Sequence, residues 1–172
     1  MKNTTIIASV CLLLSACSSS SRLSENGSDS DSTAKEQVNT QKPTTITGKM
    51  FALPTAKVGD SVKIRFTVYN ETDSTRQFCK WHTPFEPLLS KYLDITADEG
   101  TEAPYKGPMA KRVMPPPADS YVSLKSGDSL VSEINVLKGY DFSKPGKYTI
   151  KYNAANMSGI VVKDSIILSL LK

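Results

Sequence analysis

The sequence predicts an all-β sandwich, and three observations carry the prediction. From Thr44 onward, short runs of β-branched and aromatic residues recur at intervals of about 8 to 15 residues, separated by Gly, Pro, Asn and Asp. Nothing in that region repeats apolar residues at the period of an amphipathic helix. Finally, Val62, Ile64, Phe66 and Val68 alternate with Lys63, Arg65, Thr67 and Tyr69, which gives one strand a core face and a wet face.

The elements follow in order. A first strand is expected over residues 44–53 and the clearest one over 62–70, entered through Val58-Gly59-Asp60 and left through Asn70-Glu71-Thr72-Asp73. Further strands are expected over 77–81, 92–97, 121–124, 129–137, 147–153 and 160–170, the last broken near Asp164. Lys125-Ser126-Gly127-Asp128 and Lys144-Pro145-Gly146 are turns with a mechanism, Gly supplying positive φ and Pro presetting φ near about −65°. About seven to eight antiparallel strands result. Pro145-Gly146-Lys147-Tyr148-Thr149-Ile150 has the form of a penultimate strand with a corner tyrosine, which makes the expected sandwich immunoglobulin-like. Residues 83–90 and 101–120 hold seven of the ten prolines, with Pro115-Pro116-Pro117 unable to donate to a ladder. These are long loops, the usual place for binding on a rigid sandwich.

Upstream, the chain changes character twice. A polar start with one basic residue, an apolar run from Ile6 to Leu14, and small residues Ser15 and Ala16 follow the plan of a secretory signal peptide over residues 1–16. The apolar run is about 9 residues where a spanning helix needs about 20. Leu14-Ser15-Ala16-Cys17 resembles the lipobox of bacterial lipoproteins, which implies a covalent lipid on Cys17 and attachment to a membrane of the cell envelope. Ser18 after the cysteine resembles the outer-membrane sorting pattern, if the source has two membranes. The rest of residues 17–43 is Ser-, Thr-, Asn- and acid-rich, so it buries too little to offset its ordering entropy and reads as a disordered tether of about 25 to 30 Å span. The folded domain is expected over 44–172.

Composition removes several functions. The formal net charge is +4, with Lys2 in the leader and the other basic residues scattered, so nucleic acid is not an expected partner. His82 is the sole histidine, too few for a usual zinc set, and residues three apart in a strand would point Cys79 and His82 to opposite faces. No metal, cofactor or catalytic residue is expected, and the chain reads as a non-enzyme. Cys11 leaves with the leader and Cys17 is acylated, so Cys79 is expected as a small buried hydrophobe. Trp81 reads as core filler in preference to a ligand platform.

Four strings then point to a family. Lys80-Trp81-His82-Thr83-Pro84-Phe85-Glu86 is followed by Tyr105-Lys106-Gly107-Pro108-Met109-Ala110-Lys111-Arg112, then Tyr121 with Leu124 and Gly127, then Tyr140-Asp141-Phe142-Ser143-Lys144-Pro145-Gly146-Lys147-Tyr148. Together they resemble the N-terminal non-catalytic, propeptide-like region of bacterial deuterolysin-like (aspzincin) metallopeptidases. The chain departs from those enzymes in having no H-E-x-x-H. The resemblance therefore implies an accessory module that binds an extracytoplasmic metallopeptidase or other envelope protein, as inhibitor or chaperone. Its candidate binding residues are Trp81, His82, Thr83, Pro84, Phe85, Glu86, Tyr105, Lys111 and Arg112. The alternative is a structural or adhesive envelope lipoprotein that shares only ancestry with the protease.

Overall fold

A computed structural model describes residues 43–172; the leader, Cys17 and the tether as far as residue 42 lie outside the described residues. In chain order the strands are β1 (Thr47–Phe51), β2 (Thr55–Lys57), β3 (Lys63–Tyr69), β4 (Arg76–Cys79), β5 (Leu93–Ala97), β6 (Tyr121–Leu124), β7 (Ser129–Asn135), β8 (Gly146–Tyr152), β9 (Val161–Val162) and β10 (Ser165–Leu171). A single helical turn, α1 (Ala155–Ser158), lies before β9. One sheet runs β7-β3-β1-β9, the other β2-β10-β8-β5, and β4 with β6 forms a separate ribbon. With β1, β3 and β7 on one side and β5, β8 and β10 on the other, this is the immunoglobulin-like division of strands between two sheets.

Both terminal strands divide between the sheets, and here the expected all-antiparallel arrangement needs correction. β1 pairs antiparallel with β3 but parallel with β9, while β2 pairs parallel with β10. Pro54 has no N–H to continue the first ladder, and its carbonyl accepts from Ser169 N at 2.8 Å as the chain crosses to the second sheet. Short β2 shows no apolar alternation, so periodicity had nothing to detect. The expected break near Asp164 separates β9 from β10. The last residues expected in β7 form a 3-10 turn instead, Val136–Lys138, with Asn135 accepting from Leu137 N. α1 is also new, since one turn ending on left-handed Gly159 is too short to show a period.

β3 buries Ile64, Phe66 and Val68 in strict alternation, as its sequence requires. Gly48 is forced by proximity, because a Cβ there would meet Ile160 Cγ2 at 2.8 Å and Val162 Cγ2 at 2.9 Å where β9 closes on β1. Two apolar clusters result. The larger fills the space between the sheets, including Ile64, Tyr92, Leu93, Ile95, Val136 and Ile150. The smaller, Ile46, Phe66, Val68, Phe78, Leu124 and Ile160, joins the β4–β6 ribbon to the first sheet. Met50 and Tyr152 pack against both.

Buried phenols and amides fasten the connections. Tyr148 donates to Lys144 O at 2.7 Å, the expected corner. Tyr140 oxygen accepts from Tyr92 N at 3.1 Å and Leu93 N at 2.9 Å, holding the start of β5, and burial pushes its pKa up to about 12. Asn70 is fully buried at the end of β3: its amide donates to Ser74 O and Leu124 O, and its carbonyl accepts from Thr72. One side chain therefore ties the β3–β4 turn to the β6–β7 turn. Asn70→Ala leaves these groups without partners in a dry site, so urea unfolding should show a loss of about 2 to 4 kcal/mol; a loss under about 0.5 kcal/mol would mean water substitutes freely there.

Candidate functional site

The two proline-rich loops meet beside the ribbon. β4 ends at Cys79, which is buried as expected, and Lys80 N donates to Ser120 O at 2.8 Å as the chain turns. Trp81 lies beyond the strand, so strand alternation does not decide its direction; it is 7% exposed, in keeping with a packing role. His82 takes a left-handed φ of 58°, which reverses the chain and turns its N–H onto Glu86 Oε1 at 2.9 Å. Thr83 is fully buried; its hydroxyl donates to Lys80 O at 2.6 Å and accepts from Phe85 N at 3.1 Å. Pro84 is buried, and its carbonyl accepts from Ser132 Oγ. Phe85 packs its ring against Phe78 and Phe66, at centroid distances of 5.2 and 6.3 Å.

Arg112 reaches into this turn from the second loop. Its Nη2 lies 2.6 Å from Glu86 Oε1, and its guanidinium stacks 4.6 Å from the centre of the Trp81 ring. The Glu86 side chain is 6% exposed and that of Arg112 18%, so this pair is screened far less than a surface pair. Arg112 Nε has no partner among the described residues, so the pair is not fully compensated. A second tie is Ala110 N to Leu89 O at 2.8 Å. Tyr105 supplies a third: its hydroxyl lies 3.1 Å from Leu88 O and 2.8 Å from Pro108 O, while its ring packs edge-on to Tyr140. Gly107 is required beneath it, since a Cβ there would sit 2.6 Å from Tyr105 Cζ.

The structure thus brings eight of the nine candidates, Trp81 to Glu86 with Tyr105 and Arg112, into internal contacts that shape the loops. Of the nine, Lys111 alone is exposed. The side chains the loops do present are ones sequence reasoning did not single out: Met109 is 70% exposed, Val113 77% and Met114 62%. The available signal was large apolar residues inside a segment too proline-rich to become a strand.

Burial lowers the His82 pKa, so its ring is neutral at pH 7; Glu86 opposes the shift and Arg112 adds to it. No three His, Cys, Asp or Glu side chains among the described residues are grouped to hold a metal ion. None of the described helices is long and apolar enough to cross a membrane. The arrangement can hold two loops in one shape and present apolar side chains on them.

Comparison with known proteins adds a protease relationship. Over 96 residues the chain is 32% identical to an extracellular protease of Aeromonas hydrophila, an alignment spanning 54% of this chain and 26% of that protein. The chain therefore matches about a quarter of the length of its relative. No family model matches. The similarity relates part of this chain to a region of an extracellular protease.

Two outcomes are expected from the knot around Glu86. Glu86→Ala strands a largely buried guanidinium and should destabilise the domain by about 3 kcal/mol in urea; no measurable change would show the pair to be ornamental. The His82 pKa is depressed on folding, so the unfolded chain takes the proton first and this contribution to stability is lost as pH falls below about 6.5. Thermal unfolding between about pH 7.5 and 5.5 should decline less steeply in His82→Asn, a residue that also accepts the left-handed φ; equal slopes would exclude the imidazole.

Proposed function

We propose that the chain is a non-catalytic, lipid-anchored protein-binding module related to the propeptide-like region of aspzincin proteases, which docks an extracytoplasmic protease and restrains it. The observation that carries this reading is the similarity to part of an extracellular protease, in a domain whose described residues gather no metal-ligand group. The exposed segment 109–117 is the docking crest. It suits the task because the Glu86, Arg112 and Trp81 contacts and the proline run stiffen it beforehand, so binding orders little. Met109, Val113 and Met114 supply the apolar contact, and Lys111 a charge at its rim. The lipid on Cys17 keeps the module at the envelope surface, bacterial and outer-membrane if two membranes are present.

The test uses the full-length lipoprotein in detergent, with an extracellular zinc protease and a protein substrate. Hydrolysis should slow at micromolar lipoprotein, and Val113→Glu with Met114→Glu should weaken the inhibition by about tenfold or more. Hydrolysis untouched by the parent protein sinks the inhibitor role. Cys17→Ala should move the protein from the membrane pellet to the soluble fraction; continued sedimentation contradicts the anchor.

A further inference from the structure

β7 is an edge strand, and its outer flank meets no strand among the described residues. Its register on β3 pairs Ile64 with Ile134, Phe66 with Ser132 and Val68 with Leu130. At either end of the same register, Val136 N donates to Val62 O and Asn70 N to Asp128 O. Those pairs are therefore the hydrogen-bonded ones, and in an antiparallel ladder hydrogen-bonded pairs recur at every second residue. Residues 130, 132 and 134 thus spend their backbone groups on β3. Ser129, Val131, Glu133 and Asn135 aim theirs outward, and the backbone of Ser129, Val131 and Glu133 meets no partner among the described residues.

The strand that could have covered this flank goes elsewhere. β6 precedes β7 through a four-residue turn, yet it pairs with β4 in the separate ribbon. Proteins protect exposed edges with Lys, Pro, bulges or brevity. β7 is seven residues, SLVSEIN, with no Lys, Pro or Gly; its one charge, Glu133, is drawn toward β3 by Arg65 Nη2 at 3.0 Å. Val131 is 52% exposed at its centre.

We propose that β7 pairs antiparallel with β7 of a second copy of this chain, joining the two β7-β3-β1-β9 sheets across a two-fold axis at Ser132. The occupant follows from self-complementarity. The outward backbone groups interlock over the full strand when Ser129 faces Asn135 of the second copy and Val131 faces Glu133 of the second copy. A register centred on Glu133 would oppose two carboxylates. On the inner face the same register sets half-buried Leu130 against half-buried Ile134 of the second copy, covering what β3 leaves open.

The full chain, expressed in its membrane with Ser132→Cys, tests this. The two Ser132 positions face each other as a non-hydrogen-bonded pair, with Cα atoms about 4.5 Å apart, close enough for a disulfide. Copper-phenanthroline with dioxygen as oxidant should give a covalent dimer on a non-reducing gel. Lys125→Cys, in the exposed turn before β7, should not. In the Ser132→Cys background, Val131→Pro removes an outward N–H without touching the β3 ladder and should abolish the band. Val131→Glu, which would face Glu133 of the second copy, should weaken it. No dimer from Ser132→Cys, an equal dimer from Lys125→Cys, or a band indifferent to both Val131 substitutions would overturn the pairing.

Discussion

One carboxylate oxygen organises the functional end of this domain. Glu86 Oε1 accepts from the His82 backbone and from Arg112, and Arg112 in turn stacks on Trp81. Two loops that share no ladder, residues 81–86 and the segment around Arg112, are thereby held at a single point. The knot is costly to bury and tolerant of no missing member, since a lone charge in that setting has little water to turn to. Its consequence is a long proline-rich loop that keeps its shape without belonging to a sheet.

The sandwich frames that knot. β3 and β8 supply the central pairings of the two sheets, and Tyr152, at the end of β8, packs against both apolar clusters while its hydroxyl donates to His82 O at 3.0 Å. The core therefore reaches the loop turn through this phenol and through Phe85, which packs on Phe66 and Phe78. Division of the first and last strands between the sheets closes the sandwich at its ends, Pro54 and Gly48 marking where the chain changes sheets and where the two end strands come closest. The same economy leaves β6 in the ribbon and the flank of β7 without a neighbouring strand among the described residues.

The similarity to part of an extracellular protease fits this division of labour. Loops held this stiffly keep one shape in the domain by itself. Burial of Trp81, Thr83 and Pro84 makes the most recognisable string of the family resemblance a matter of architecture. Exposure falls to the less distinctive residues around Lys111 and Val113.

Most strands were legible because two-residue alternation depends on local order alone: β3 follows from Val62 to Val68, β6 falls on residues 121–124 as read, and Tyr148 makes the corner that its Pro-Gly entry implies. β2, the parallel pairings and α1 were not, because each is decided by a partner remote in sequence or is too short to carry a period. The candidate residues were legible as a group, but not which of them faced inward. By itself the sequence determined the alternation, the turns, the buried thiol and the proline-rich loops, all consequences of local backbone and side-chain chemistry. Only the tertiary structure decided that Arg112 turns in upon Glu86 while Met109, Val113 and Met114 turn out, because that choice rests on which buried charge finds its counterion across 26 residues of chain.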